Sequence, residues 1–360
     1  MSDHGWMQRA LVLARKGLGT TAPNPMVGAI VLSASGKVVG HGYHRKAGSD
    51  HAEVIALRMA GEKARGGTLY VTLEPCSHHG KTPPCVEAIM HSGVRRVVVS
   101  VLDPNPKVNG QGVARLRERG IDVVLGIEEH RAQRLNRVFL KHIQQKKIFV
   151  CAKVAVSLDR KMGIENQRVP ISSPMMEQTT MKLRAGAGAV LVGVQTVLAD
   201  EPRLNVRGPW RDRQPQRVIL DPKLRTPGDA KLFGERGPVL FFHHADAPLT
   251  NRKKLLQHSQ AECQELPATV DGRFDPGDIL EALQARNLTS LLIEGGRKTL
   301  ESFHRKNLID EWVIYINDQV IKSAAADLPI SFSFVPPLHL IAQQATMRAH
   351  DVELVASNCP

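Results

Sequence analysis

The chain has 360 residues, which is more than one hydrophobic core usually holds, so its length predicts two domains. Apolar residues make up 42% and charged residues 23%, a composition that excludes a disordered chain. The formal charge of +13 attracts anions in general, but 4% aromatic residues are too few to favour stacking of splayed nucleic-acid bases. We therefore expect small anionic ligands.

The pattern of apolar residues over the first 147 positions predicts an alternating α/β unit. Apolar positions recur at helical spacing from residue 4 to about 17, where Gly17 and Gly19 end the pattern. A helix over 84–91 begins with proline and is followed by Gly93. The other predicted elements are strands over 27–32 and 38–39, a helix over 51–64, strands over 68–73 and 94–102, a helix over 112–119, a strand over 121–125 and a long basic helix to about residue 147.

A second domain is predicted over residues 148–360. The polar run Gln144–Lys147 precedes it, and an apolar β-type run begins at Ile148. Predicted strands cover 148–156, 189–192, 217–220, 239–242, 290–294, 312–316 and 338–342, and predicted helices cover 175–184, 277–285 and 296–306. Alternation of strands and helices again indicates an α/β fold.

Cysteine usage and the N-terminal segment indicate a cytoplasmic location. Five cysteines are an odd number, widely spread, which argues against a disulfide framework and favours a reducing compartment. The first residues lack the apolar core and cleavage site of a signal peptide. No apolar run approaches the ~18 residues of a membrane span, so we expect no membrane partner.

The motif His51-Ala52-Glu53, followed by Pro75-Cys76 and then Cys85, predicts a catalytic zinc site. One imidazole and two thiolates leave the fourth position of zinc open, and a nearby carboxylate can move protons. Cys85 lies in the first turn of a predicted helix, where the helix dipole favours a thiolate. Zinc lowers the pKa of its bound water to about 7. We expect Zn²⁺ on His51, Cys76 and Cys85, with Glu53 carrying the proton.

Two other interpretations of this motif stay open. His51 and Glu53 would cap a helix while the cysteines are small buried apolar residues, but their order along the chain makes coincidence a poor explanation. Alternatively, His78 or His79 would complete a closed structural zinc site, in which Glu53 is dispensable.

The eight residues between Cys76 and Cys85 exceed the two that zinc deaminases usually have there. This longer loop resembles the deaminase half of the bifunctional riboflavin-biosynthesis deaminase/reductase family. Matching motifs are Pro23-Asn24-Pro25-Met26-Val27-Gly28, Gly42-Tyr43-His44, Asp50-His51-Ala52-Glu53, Thr72-Leu73-Glu74-Pro75-Cys76-Ser77-His78, Asp103-Pro104-Asn105-Pro106 and Asn109-Gly110. They span essentially the whole first domain.

This resemblance implies a cytidine-deaminase-like α/β/α fold for residues 1–147. It implies zinc-dependent hydrolytic deamination of 2,5-diamino-6-hydroxy-4-(5-phosphoribosylamino)pyrimidine, with zinc on the three residues named above and Glu53 as proton shuttle. The candidates that would hold the ring or the phosphate are Asn24, His44, His78, Lys81 and Asn109.

The second domain resembles the reductase half of the same family, which has a dihydrofolate-reductase-like α/β fold. The matching segments are Lys153–Asp159, Leu183–Ala185, Ala189–Arg207 and Ile293–Gly296. The resemblance implies that NADPH reduces the ribosyl side chain of 5-amino-6-(5-phosphoribosylamino)uracil to ribityl. It implies NADPH contacts at Ala155, Thr196, Asp200, Gly296, Arg297, Lys298, Thr299, Leu300, Glu301 and Ser302. It implies substrate contacts at Arg184, Leu204, Arg207 and Glu294.

The residues themselves agree with part of this assignment. A Gly295-Gly296 turn that opens a helix presents backbone N–H groups to a phosphate. The chain has no Gly-x-Gly-x-x-Gly fingerprint, so a Rossmann domain is not indicated. The guanidinium forks of Arg184 and Arg207 suit a ribose phosphate. No acid or base for the reduction is evident.

Several residues depart from the family pattern in the second domain. Arg160 stands where a glycine is usual, Pro170 where a tryptophan usually lies beside the nicotinamide, and Pro222 where a hydroxyl residue is common; Arg168 and Val169 replace small polar residues. The main alternative is therefore a monofunctional deaminase with a degenerate reductase domain. A nucleic-acid deaminase is a weaker alternative, because it predicts a short cysteine spacing and no second domain. The resemblance also implies a homo-oligomer, either a dimer or a tetramer, that binds no nucleic acid.

Overall fold

The structure is a computed structural model, and it describes residues 1–77, 83–105, 109–164, 169–321, 329–331, 342–348 and 351–357. The chain divides into two compact units, residues 1–147 and 148–360. None of the helices described is long and apolar enough to cross a membrane.

The first unit alternates helices and strands. Its elements are α1 Asp3–Ala14, β1 Gly28–Leu32, β2 Val38–Tyr43, α2 Ala52–Ala60, β3 Thr68–Val71, α3 Cys85–Ser92, β4 Arg96–Val99, α4 Gln111–Glu118, β5 Asp122–Leu125, α5 Glu129–Leu135 and α6 Arg137–Gln145. The described strands form one sheet in the order β2-β1-β3-β4-β5. β1 runs antiparallel to β2 and β3, whereas β3, β4 and β5 are parallel.

Alternating apolar residues of β1 build a core on each face of this sheet. Ile30 and Met7 of α1 belong to the core on one face, whereas Val31, Ala56 of α2 and Ile89 of α3 belong to the core on the other. A sheet buried on both faces requires a strand that is apolar throughout, and all five residues of β1 are buried. The α/β/α fold expected for this unit is confirmed.

The prediction of one long basic helix up to residue 147 is wrong, because the structure has two helices there, α5 and α6. They are separated at Asn136, which is buried. The Asn136 side chain accepts from the backbone N–H of Met26 at 2.8 Å and donates to the Met26 carbonyl at 3.0 Å. This tertiary contact accompanies the break, and the local sequence gives no sign of it.

The second unit contains a larger mixed sheet. Its elements are β6 Phe149–Ser157, β7 Lys161–Ile164, α7 Pro174–Gly186, β8 Ala189–Gly193, α8 Val194–Asp200, β9 Gln216–Leu220, β10 Val239–His243, α9 Leu249–Leu255, β11 Ala261–Glu265, α10 Pro276–Ala285, β12 Ser290–Ile293, α11 Arg297–Arg305, β13 Glu311–Asn317, β14 Pro329–Ser331, β15 Ala342–Arg348 and β16 Asp351–Ser357. Among the strands described, the order is β11-β10-β9-β8-β12-β6-β13-β16-β15, and β14 pairs with β7.

Most predicted elements of this unit are confirmed within one or two residues. The sequence pattern did not predict β7, α8, α9, β11, β14 and β16. β11 is an edge strand with the polar sequence Ala-Glu-Cys-Gln-Glu, and edge strands need no continuous apolar run. Of the strand expected over 338–342, residues 338–341 lie outside the described residues, and β15 begins at Ala342.

A buried arginine ties a loop to strand β9 of this sheet. Arg217 of β9 is 1% exposed and donates to the carbonyls of Leu232, Glu235 and Gly237. Burial disfavours the charged form and lowers the pKa of Arg217. The three carbonyls compensate for the lost water, so the guanidinium fixes the loop over 232–237.

Replacing Arg217 with methionine removes the donor to all three carbonyls at once. We expect Arg217→Met to lower the free energy of unfolding of the second unit by about 2 to 4 kcal/mol, because buried acceptors are left unpaired. Calorimetry of the full chain measures this change. Arg236→Met, an exposed arginine of the same loop, serves as the control. Equal effects of the two substitutions would contradict the argument.

Candidate functional site

Three elements of the first unit bring His51, Cys76 and Cys85 together. His51 is the N-cap of α2, Cys76 follows β3, and Cys85 is the first residue of α3. Their ligand atoms all lie within 4.8 Å of one another. His51 Nδ1 lies 3.1 Å from Cys85 Sγ and 3.6 Å from Cys76 Sγ. One imidazole and two thiols at this spacing suit a tetrahedral zinc ion with one open position.

The two cysteine thiols differ in acidity. A hydrogen bond from Cys85, with a further contribution from His51, lowers the pKa of Cys76. The same contact and burial raise the pKa of Cys85. The backbone N–H of Cys85 also donates to Cys76 Sγ at 3.3 Å. Binding of a metal ion to both sulfur atoms requires that both thiols lose their protons, so metal binding here is coupled to proton release.

Glu53 lies in the first turn of α2, beside this cluster, and is 3% exposed. Its Oε2 atom is buried and has no hydrogen-bond partner among the described residues. Burial raises the pKa of Glu53, although the neighbouring His51 partly opposes the shift. A buried carboxyl with a raised pKa and an unused oxygen is suited to accepting and releasing a proton.

Asn24 and His44 lie next to the cluster. The His44 and His51 rings are 5.4 Å apart, edge to face. Asn24 Nδ2 lies 3.2 Å from His44 Nε2, and His44 Nδ1 lies 3.3 Å from the Asp50 carbonyl. These contacts fit a neutral imidazole with its proton on Nδ1. Burial lowers the pKa of His44, which also favours the neutral form. Of the other candidates, Asn109 is exposed, and residues 78–82 lie outside the described residues.

In the second unit Arg184 and Glu294 form a buried ion pair. Arg184 of α7 donates to both carboxylate oxygens of Glu294, from Nε at 2.5 Å and from Nη2 at 2.9 Å. Burial raises the pKa of Glu294, but Arg184 and then Lys153 lower it more, so the net shift is downward. Both charges are therefore retained in the interior.

Lys153 is a member of this cluster that the sequence analysis did not assign to the site. Ile293 of β12 pairs with Ala152 of the parallel strand β6, so Glu294 and Lys153 follow at the same end of the sheet. Burial lowers the pKa of Lys153, and Glu294 partly opposes this shift. A lysine inside the apolar run over 148–156 was the available signal, because buried lysines are rare without a partner.

The other two residues expected at the substrate lie in one segment near Arg184. Leu204 is 2% exposed and has φ of +52°, while Arg207 is half exposed. Asn205 connects the two arginines, because its carbonyl accepts from Arg184 Nη1 and its Oδ1 accepts from Arg207 Nη1, both at 2.9 Å. Arg207 also donates to Glu177 at 2.5 Å.

The residues expected to bind NADPH are gathered only in part. Gly296, with φ of +75°, precedes α11, whose N-terminus has no side-chain cap in the described structure. A Cβ built on Gly296 would lie 3.4 Å from Thr299 Oγ1 and 3.8 Å from Thr196 Oγ1, so these hydroxyls flank an open glycine backbone. Such a helix start suits a phosphate group.

The remaining NADPH candidates are more dispersed. Ala155 lies on β6 opposite Tyr315, and Asp200 ends α8. Arg297 and Lys298 are exposed, with Arg297 paired to Glu301 at 3.2 Å, and Ser302 donates to a carbonyl of its own helix. Leu300 is fully buried in the core, so its side chain faces no ligand.

The unusual Arg160 has a structural consequence. Its φ of +61° is the left-handed conformation that favours glycine, the residue usual at this position in the resembled family. The turn is held without the Arg160 side chain: Ser157 Oγ donates to Asp159 at 2.5 Å and accepts from the Lys161 backbone at 3.0 Å. The hydrogen bond from Ser157, with a further one from the Lys161 side chain at 2.9 Å, lowers the pKa of Asp159 to about 2. Val169, Pro170 and Pro222 lie in the described loops, whereas residue 168 does not.

Comparison with known proteins matches both units. Residues 1–101 match the family model of the cytidine and deoxycytidylate deaminase zinc-binding region, and residues 148–323 match that of the RibD C-terminal domain. The chain is 42% identical to the riboflavin biosynthesis protein RibD of Aquifex aeolicus over 89% of this chain and 88% of that protein. It is 37% identical to RibD of Escherichia coli over 91% of each.

Two solved structures agree over the full length. RibD of Acinetobacter baumannii is 35% identical, with a TM-score of 0.80 over 99% of this chain and 98% of that one. A Thermotoga maritima diaminohydroxyphosphoribosylaminopyrimidine deaminase/5-amino-6-(5-phosphoribosylamino)uracil reductase is 30% identical, with a TM-score of 0.83 over 99% of each chain.

Fold and site together define a zinc-dependent deaminase joined to an NADPH-dependent reductase. The chain belongs to the RibD family of bifunctional enzymes of riboflavin biosynthesis. The expected fold classes, the two activities and the two cofactors are thereby confirmed.

The ion pair of Arg184 and Glu294 predicts a pH-dependent stability. Because the pKa of Glu294 is lowered in the folded chain, the ionised carboxylate stabilises the fold above the ordinary glutamate pKa of about 4.3, and this contribution is lost as the pH falls through the lowered value. In Arg184→Met the main group that opposes the effect of burial on Glu294 is missing, so the pKa of Glu294 rises. The variant then becomes less stable as the pH increases, because a buried carboxylate without its partner must ionise.

We expect the stability difference between wild type and Arg184→Met to reach about 3 to 5 kcal/mol near pH 7 and to narrow towards pH 4. Urea unfolding between pH 4 and pH 8 measures it. Arg203→Met is the control, because its ion pair with Glu235 involves a mostly exposed guanidinium. A difference independent of pH would contradict the electrostatic explanation.

Proposed function

We propose that residues 1–147 deaminate 2,5-diamino-6-hydroxy-4-(5-phosphoribosylamino)pyrimidine by hydrolysis, and that residues 148–360 then reduce the ribosyl side chain of the 5-amino-6-(5-phosphoribosylamino)uracil formed. The observation that carries the proposal is the buried Oε2 of Glu53, which lies beside the His51, Cys76 and Cys85 cluster and has no hydrogen-bond partner among the residues that the structure describes. The reactions named for the Thermotoga maritima protein support the choice of substrates.

In the deamination, His51, Cys76 and Cys85 would hold the zinc ion. A zinc ion held there would supply an activated water molecule for attack on the amine-bearing ring carbon. Glu53 accepts a proton on its free Oε2 and delivers it to the leaving amine, a role that its raised pKa favours. Asn24 and the neutral His44 contact the substrate beside the metal.

In the reduction, the start of α11 and the flanking Thr196 and Thr299 hydroxyls bind the cofactor phosphates. NADPH supplies the hydride for the ring-opened ribosyl carbon. We assign Ala155, Asp200 and the backbone of residues 296–302 to the same cofactor. Placing the reacting carbons side by side provides much of the rate enhancement.

The substrate of the reduction lies against Arg184, Leu204, Arg207 and Glu294 in this proposal. The forked guanidinium of Arg207 binds the ribose phosphate, since the contact with the exposed Glu177 is one that a phosphate can replace. Lys153, whose pKa is lowered by burial, donates a proton from Nζ to the nitrogen of the ribosylamino group as the carbon is reduced. Glu294 orients both the substrate and the lysine.

We also propose that the enzyme acts in the cytoplasm as a homo-oligomer and binds no nucleic acid. The described cysteines, Cys76, Cys85, Cys151 and Cys263, are all free thiols, in keeping with a reducing compartment. A zinc site with two cysteine ligands also needs reduced thiols.

Substitution of Glu53 tests the deaminase. We expect Glu53→Gln to retain zinc and to lower the rate of ammonia release about 10²-fold to 10⁴-fold, because the proton carrier is lost. Reduction of separately supplied deaminated substrate should continue, followed as loss of NADPH absorbance. Glu62→Gln, an exposed carboxylate after α2, is the matched control. Full ammonia release by Glu53→Gln would support a non-catalytic zinc site.

Substitution of Arg207 tests the reductase. We expect Arg207→Met to raise KM for the phosphorylated substrate about 10-fold or more, since a charge-assisted contact is worth about 1.5 to 3 kcal/mol, while KM for NADPH changes little. Arg211→Met, an exposed arginine nearby, is the control. If the wild-type protein releases ammonia but consumes no NADPH, it is instead a monofunctional deaminase.

A further inference from the structure

A buried carboxylate outside the assigned site connects the metal cluster to helix α4. Glu74 lies two residues before Cys76 and is 3% exposed. Its Oε2 accepts from the backbone N–H groups of Asp103 at 3.2 Å and Gly110 at 2.9 Å. Its Oε1 accepts from the N–H of Val113 at 3.2 Å. Both oxygens are therefore used to hold the start of α4.

Glu74 provides hydrogen-bond acceptors for the backbone N–H groups at the start of α4, although it lies far from this helix in the sequence. Within the residues described, no side chain of its own caps its N-terminus, where Gly110 has φ of +79°. A carboxylate at a helix N-terminus is favoured by the helix dipole, and hydrogen bonds from N–H groups to a charged acceptor are stronger than neutral ones. Glu74 thus supplies the cap across the fold, from the segment that also carries Cys76.

The two segments also approach at backbone distance. A Cβ built on Gly112 would lie 2.2 Å from the Pro75 carbonyl oxygen. Only glycine allows this contact, so α4 packs directly against the residue that precedes Cys76. The position of Cys76 therefore depends on the position of α4.

A second contact joins α4 to both cysteine segments. Arg115 Nη1 donates to the Ser77 carbonyl at 2.9 Å, and its Nη2 lies 2.5 Å from Glu87 Oε1. Ser77 follows Cys76, and Glu87 lies in the first turn of α3, two residues after Cys85. One guanidinium therefore spans the two segments that carry the sulfur atoms.

We propose that α4, acting through Glu74 and Arg115, sets the separation of the Cys76 and Cys85 sulfur atoms. Neither side chain is assigned to metal or substrate, so both are positioning residues for the zinc site. The inference rests on the proposed function only in taking zinc as the metal. Groups that orient metal ligands typically change metal affinity by about 10-fold to 100-fold when they are removed.

The experiment compares metal binding by variants of the full chain. Glu74→Gln keeps the size of the side chain but leaves one acceptor oxygen for three N–H donors. Arg115→Gln removes the span between the cysteine segments, and Arg115→Lys keeps its charge. The matched controls on the same helix are the exposed Glu118→Gln and, just after it, Arg119→Gln. The dissociation constant of Zn²⁺ is measured by chelator competition, and the thiolate absorption bands of the Co²⁺-loaded protein report ligand geometry.

We expect Glu74→Gln to weaken Zn²⁺ binding about 10-fold to 100-fold and to shift the cobalt bands. Arg115→Gln should weaken binding less, Arg115→Lys should recover part of the loss, and both controls should match wild type. Unchanged affinity and cobalt spectra in both Glu74→Gln and Arg115→Gln would overturn the proposal. If Glu74→Gln does not fold, the half-exposed Arg115 series decides alone. Failure of the proposed function would appear separately, as wild-type protein that binds zinc and releases no ammonia.

Discussion

Both units depend on the same constraint, which is that parallel strands can be joined only through a crossover, usually a helix. This connection brings the carboxyl ends of strands and the N-termini of helices to one edge of a sheet. Cys76 follows β3 and Cys85 opens α3, while Glu294 follows β12 and Gly296 precedes α11. The ligand-binding groups of each unit therefore gather at the edge of the sheet where helices begin.

The two buried glutamates illustrate how surroundings decide the protonation of one residue type. Burial raises the pKa of both carboxyl groups. For Glu53 this cost is only partly opposed by His51, so the net shift of the pKa is upward, towards the range in which a carboxyl group can accept and release a proton. For Glu294 the attraction of Arg184 and Lys153 exceeds the cost, so the carboxylate stays ionised and serves as a fixed charge.

Residues with distinctive chemistry were predictable from the sequence, whereas residues defined by tertiary contacts were not. The trio of His51, Cys76 and Cys85 was identified from residue type and order, and their convergence follows from the predicted fold. Glu74 gave no comparable signal, because its partners are backbone groups 29 to 39 positions away. The break between α5 and α6 was missed for the same reason, since it coincides with a contact to Met26.

Arg160, in the left-handed conformation, shows that a substitution that strains the backbone differs from one that removes a functional group, although sequence comparison counts both as departures. Replacement of a glycine in this conformation costs about 1 kcal/mol of backbone energy. That cost falls on folding, and the hydrogen bonds that hold the turn come from Ser157 and Asp159 and not from the Arg160 side chain. A score based on conservation would count the missing glycine as evidence of a decayed enzyme. The structure instead shows a strained but hydrogen-bonded turn between β6 and β7, in which Arg160 adopts the left-handed conformation.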